Sequence, residues 1–196
     1  MPDALLQGLS GLSQGLDSMA EVLLKMEAGV ELLLAVGLSM SAAHFFSLLA
    51  NRLGPVQIAV HLLFDALGLS LAFLLGILCD SLILTSLKDV PLHPITFANH
   101  ILPAIWPGLF YILAGAPYIS DLIAVTLFAW IHLNVVVLLK AIYGIPLQQG
   151  LVMALPGFAL ALVLIALLFA QRWKSSYAQL AREVALNHLV VSDLRS

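Results

Sequence analysis

Charge is what this chain has least of. Of its 196 residues only 10% are charged, eight basic against eleven acidic, for a formal net charge of -3. Soluble domains are about a quarter charged and about half apolar, whereas here 62% of residues are hydrophobic and the mean hydropathy is +1.06. That balance excludes an ordinary soluble domain. The lack of any Lys/Arg cluster leaves nothing to neutralise a phosphate backbone, which excludes nucleic acid as a partner. Cysteine is nearly absent too: the lone Cys79 rules out an internal disulfide and any zinc site built from several cysteines, and its apolar setting makes it an inert packing thiol. No basic region leads into a short apolar core with a small-residue cleavage site, so no secretory leader is expected. Nucleophile elbow, phosphate-cradling glycine loop and metalloprotease histidine pair are all missing. The chain is therefore expected not to be an enzyme, with no catalytic residue, metal or other cofactor assigned.

What the chain does have is long apolar runs separated by turns. They predict an all-α, polytopic transmembrane helix bundle over 28–173, with about five spans at 31–50, 57–86, 95–114, 121–142 and 147–170. About 20 apolar residues make about 30 Å of helix, enough to cross a bilayer, so the lipid bilayer is the expected environment and the protein is integral and multi-pass. Asn51, Arg52, Gly54 and Pro55 form a turn, with Pro55 placed to open the second span. Gly115, Pro117, Tyr118 and Ser120 precede the fourth span, and Tyr143, Gly144, Ile145 and Pro146 end it. Pro103 and Pro107 interrupt the third span, which is kinked or re-entrant. Such prolines are tolerated where neighbouring helices or waters satisfy the freed carbonyls, so this span is expected to pack within protein. Pro156 and Gly157 bend the last span, and a moderately polar amphipathic tail follows over 174–196.

Residues 1–27 precede the bundle as an amphipathic in-plane helix. Leu5, Leu9, Leu12, Leu16, Met19, Leu23 and Met26 recur in steps of four and three, with polar residues between them. Gly8, Gly11 and Gly15 weaken the helix, so its apolar stripe needs something to lie on. The polar face carries Asp17, Glu21 and Glu27 against Lys25, the wrong sign for anionic lipid. The expected role is that of an interfacial helix without a specific partner, with docking on its own bundle or on a membrane-protein partner as the alternative to it.

The bundle is organised around Pro55 to Leu87, an apolar stretch that carries Asp65 and Asp80. At helical spacing His61, Asp65, Gly68, Ala72, Gly76 and Cys79 share one stripe, the expected buried seam. The polar seam is completed by His44 and His132 from neighbouring spans, so the candidate residues are His44, His61, Asp65, Asp80 and His132. An aspartate in hydrocarbon costs about 2.5–3.5 kcal/mol on insertion scales, which a histidine partner or protonation would offset. His61 and Asp65, four apart, are read as a structural hydrogen-bonded pair near one face. A proton relay, a divalent-metal site and haem ligation are the functional alternatives. Asp80 is expected near the opposite face, hydrated, in a packing or solvated role. His93 and His100 are expected to be exposed, and His188 belongs to the tail.

Orientation is weakly encoded. With five spans, Lys25, Lys88 and Lys140 fall on one side and Arg52, Arg172, Lys174, Arg182 and Arg195 on the other, which favours a cytoplasmic C-terminus. Without a third crossing, both termini join Lys88, a distribution that obeys the positive-inside rule better.

From Pro91 to Leu168 a polar loop leads into a proline-interrupted span and the turn AGAPYISDL. AWIHLNVVVLLKAIYGIPLQQGLVMALPGFALALVLIALL follows, a tryptophan-bearing helix that ends in a glycine turn before a last helix with a central proline. This half of the chain resembles the core of the Ypt-interacting-protein (YIP) domain family. The resemblance implies a five-span layout and a role in organising membranes or binding partners, as in trafficking, and carries over no functional residue. The first two spans depart from that pattern. The residues thus support two functional readings: a non-enzymatic membrane-organising or partner-binding protein, and a small proton/ion transport or electron-transfer subunit using the His and Asp seam. The apolar stretch Gly68 to Gly76, between the polar ends of the second span, favours the first.

Overall fold

The computed structural model describes residues 2–50, 53–88, 93–116 and 118–170. Asn51, Arg52, Pro91, Arg172, Trp173, Lys174 and the expected tail lie outside the described residues. The chain is all-α: α1 (Pro2–Lys25), α2 (Val30–Ala42), α3 (Phe45–Ala50), α4 (Pro55–Lys88), α5 (Pro94–Ile101) continuing as a 3-10 segment (Leu102–Gly115), α6 (Ser120–Tyr143) and α7 (Leu147–Met153). Beyond an irregular residue at Ala154 the last helix resumes, so that its whole span is Leu147–Ala170.

Among the described residues four helices are long and apolar enough to cross a bilayer: Pro55–Leu87, Pro94–Gly115, Ser120–Tyr143 and Leu147–Ala170. The expected first span, 31–50, is divided. α2 has 13 residues, about 20 Å at about 1.5 Å per residue, and a turn at Ala43 and His44 separates it from α3. Sequence hydropathy sees an unbroken apolar run here because the turn is built from alanine and histidine rather than from glycine or proline.

Local chemistry explains the other boundaries. Pro55 opens α4 and Pro94 opens α5, where the missing N–H costs nothing. Gly144 ends α6 in the left-handed region (φ 66°), which glycine enters without a Cβ penalty. Its N–H returns to the Lys140 carbonyl and that of Ile145 to Leu139, while the Ile145 side chain is buried. The bond of Gly144 to Lys140 is the closure by which a left-handed glycine stops a helix.

The third span runs through the bundle antiparallel to α6. His100 meets Tyr143, Ala104 meets Asn134, Trp106 meets Trp130 and Tyr111 meets Phe128, in one continuous register without a reversal. It therefore passes along the bundle and does not re-enter. α2 packs on both α4 and the 3-10 segment, and α1 lies against α6. Ala20 and Leu23 of α1 are buried, Leu16 and Met19 are half-buried, and Lys140 of α6 reaches Asp17 at 2.7 Å.

The buried face of α4 is turned away from the expected stripe. Ala66, Leu69, Ser70, Ala72, Phe73, Gly76, Ile77, Asp80, Ser81 and Leu84 are buried, while His61, Asp65, Gly68 and Cys79 are half-buried at its margin. The bulk of Leu69, Phe73, Ile77 and Leu84 fills the centre of the core. Small residues keep their expected use at two crossings. A Cβ on Gly37 would collide with the Ala66 carbonyl of α4, and one on Gly76 would meet the Gly157 carbonyl. Glycine is required at both points because backbone lies against backbone.

Candidate functional site

Asn134, Ser39 and Asp80 are placed at irregular stretches of neighbouring backbones. The 3-10 segment bonds each N–H to the carbonyl three residues earlier. Pro107 has no N–H, and the carbonyl it leaves is that of Ala104. Asn134 of α6, fully buried, donates its Nδ2 to this oxygen at 3.0 Å. One turn on, Ser39 of α2 enters the same ladder: its hydroxyl donates to the Leu109 carbonyl at 2.7 Å and accepts the Ile112 N–H at 3.1 Å. A hydroxyl inserted in this way takes the place of the backbone bond between those residues. Pro103 and Pro107 are both buried, and the carbonyl left free by Pro107 takes its partner from a neighbouring helix.

The last span is treated alike. Ala154 interrupts it, Pro156 supplies no N–H, and the N–H of Gly157 turns out of the helix to Asp80 Oδ1 of α4, at 3.0 Å. Asp80 is 4% exposed. Its expected place near a membrane face, in water, is corrected: it lies at the level of Gly157 and His132, about midway along the last span and α6. The reason is the close crossing of Gly76 with Gly157, which draws α4 against the broken helix and covers the carboxyl group. His132, on α6, lies beside the Leu151 carbonyl and tilts over Phe158 with 4.6 Å between ring centroids. Asp80 and His132 line one cavity together with Phe73, Ile105, Ala154 and Ala161.

The structure thus brings together two of the five expected seam residues. The other three lie at the far end of α4. Asp65 is fifteen residues from Asp80, about 22 Å along the helix. His61 and Asp65 are half-buried, on one face. His44 sits in the turn after α2, its ring edge-on to Phe169 at 4.7 Å. Among the described residues no group of three or more His, Cys, Asp and Glu is placed to hold a metal ion. His93 is exposed, as expected, and His100, also exposed, meets the Tyr143 hydroxyl at 3.1 Å.

Two further hydroxyl clips complete the set. Ser41 donates to the Leu62 carbonyl at 2.9 Å and Ser70 to the Leu33 carbonyl at 3.0 Å, tying α2 to α4 at both ends of their contact. The sequence pattern by itself assigns neither Ser41 nor Asn134 a partner. The signal that could have found Asn134 is stoichiometric: a buried proline in a span frees a carbonyl, and a lone amide in a neighbouring span is a natural donor.

Fold and site together define a multi-pass, all-α membrane protein whose internal polar groups bind neighbouring helix backbones. No protein-family model, curated protein or solved structure matches the chain.

Proposed function

We propose that the protein is a non-enzymatic membrane-organising or partner-binding factor of the kind implied by its resemblance to the YIP domain family. One observation carries this reading: polar side chains inside the bundle direct hydrogen bonds at the backbones of adjacent helices, as the buried Asp80, Asn134, Ser41 and Ser70 and the half-buried Ser39 do. Interhelical bonds of this kind hold a bundle in one shape. A conducting route needs polar groups in sequence across the bilayer. Between Asp65 and Asp80 the buried face of α4 instead presents Ala66, Leu69, Ala72, Phe73 and Ile77, and its one hydroxyl, Ser70, is engaged by Leu33.

The test is reconstitution of the purified chain into lipid vesicles that carry an internal pH dye, with vesicle size followed as protein density rises. The reading expects size or shape to change with density and the internal pH to hold as in protein-free vesicles. Proton flux that disappears in a well-folded Asp80→Asn or Asp65→Asn protein would replace it with the transport alternative.

A further inference from the structure

The cavity between Asp80 and His132 has a volume of about 30 Å³, room for one water molecule. Most of its wall is apolar: Phe73, Ile77 and Ile105 on one side, Phe158, Ala161 and Ile165 on the other. Walls of that kind alone leave a cavity dry, whereas a water held inside protein needs two to four polar partners. Two features of this cavity supply them. Asp80 brings a buried carboxyl group of which one oxygen, Oδ1, holds the Gly157 N–H, and a carboxyl group has capacity for several more hydrogen bonds. His132 brings Nδ1, which is buried and has no hydrogen-bond partner among the described residues. A buried nitrogen left in that condition costs free energy that a bridging water recovers.

The geometry points to a water-binding site here, in which one internal water is hydrogen-bonded to the Asp80 carboxyl group and to His132 Nδ1. The water links α4 to α6 at the level where the last span is broken, and so adds α6 to the bond that Asp80 already makes with Gly157. Its place in the fold is that of a third hydrogen-bonding group at a helix break, beside the two side chains. Asp80 and His132 are the ionisable residues lining the cavity, with Cys79 next to Asp80 on α4 and none contributed by the 3-10 segment or the last span. The ligand that this volume and these two hydrogen-bonding groups fit is a single water.

Water-edited solid-state NMR of the whole chain in lipid vesicles, with 15N-labelled histidine, tests this. The His132 signal is assigned by its loss in His132→Phe. The site predicts transfer of water magnetisation to the His132 ring within milliseconds. It also predicts that Ala161→Leu, which fills the cavity and leaves both polar residues in place, abolishes the transfer, and that Asp80→Leu weakens it at least twofold. Absence of transfer in the wild type would overturn the site, as would transfer of unchanged strength in Ala161→Leu, which would show water reaching the ring by another way.

Discussion

Asp80 Oδ1 accepts the Gly157 N–H at 3.0 Å across 77 positions of sequence, and Gly157 follows the proline of the last span. A carboxyl group in hydrocarbon is costly, and an unpaired N–H at a helix break is costly too; here each offsets the other. This pairing makes the intramembrane aspartate a part of the fold.

An amide oxygen can accept the same bond. Asp80→Asn is therefore expected to change stability by less than about 1 kcal/mol, whereas Asp80→Leu, which orphans the N–H, should cost about 1–3 kcal/mol. Gly157→Ala should cost about 1–3 kcal/mol as well, since its Cβ would strike the Asp80 carboxyl group and the Gly76 carbonyl. Reversible unfolding in mixed lipid–detergent micelles measures all three. A harmless Asp80→Leu would remove Asp80 from the account.

Ser81 provides the contrast. Its hydroxyl is buried without a hydrogen-bond partner among the described residues, so it bridges no break. Ser81→Ala is expected to leave stability within about 0.5 kcal/mol of wild type or to raise it, by the same unfolding measurement. A loss above about 1 kcal/mol would mean that a partner exists.

The continuous register of the third span with α6 predicts topology. Single cysteines at Ser86, near the end of α4, and at Ser120, at the start of α6, should be labelled from opposite sides of sealed vesicles. Labelling of both from one side would remove the third crossing.

The C-terminal half of α1 is seated on the bundle. Leu23 is 1% exposed, and Leu23→Ala should destabilise by about 2–4 kcal/mol. Asp17→Ala should cost no more than about 1 kcal/mol, because the Asp17–Lys140 pair is largely solvent-exposed. Equal effects in the unfolding assay would mean that the ion pair, and not the apolar seat, docks the helix.

Much of this fold was legible in the sequence, and the site much less so. Pro55 and the Gly144 turn marked helix ends because each acts through its own backbone. The buried face of α4 was not legible. A helix in lipid is apolar on both its lipid-facing and its core-facing sides, so Leu63, Phe64 and Leu67, exposed, look the same as Leu69 and Phe73, buried. The stripe of small and polar residues was a guide to Ala72 and Gly76 only. Asp80 was legible as an anomaly and not as the partner of Gly157. Contacts between a side chain and a distant backbone leave no periodic trace, and the same holds for Asn134 and Ala104.

The central claim is that buried polar side chains satisfy backbone groups at helix breaks, and Asn134, bonded to the carbonyl that Pro107 leaves free, tests it most directly. In a double-mutant cycle measured by unfolding in lipid, Asn134→Leu alone should cost about 1–3 kcal/mol, through the buried Ala104 carbonyl left without a donor. Pro107→Ala restores an N–H for that carbonyl, so in its background the cost of Asn134→Leu should fall by about 1 kcal/mol or more. Equal cost in both backgrounds would contradict the account.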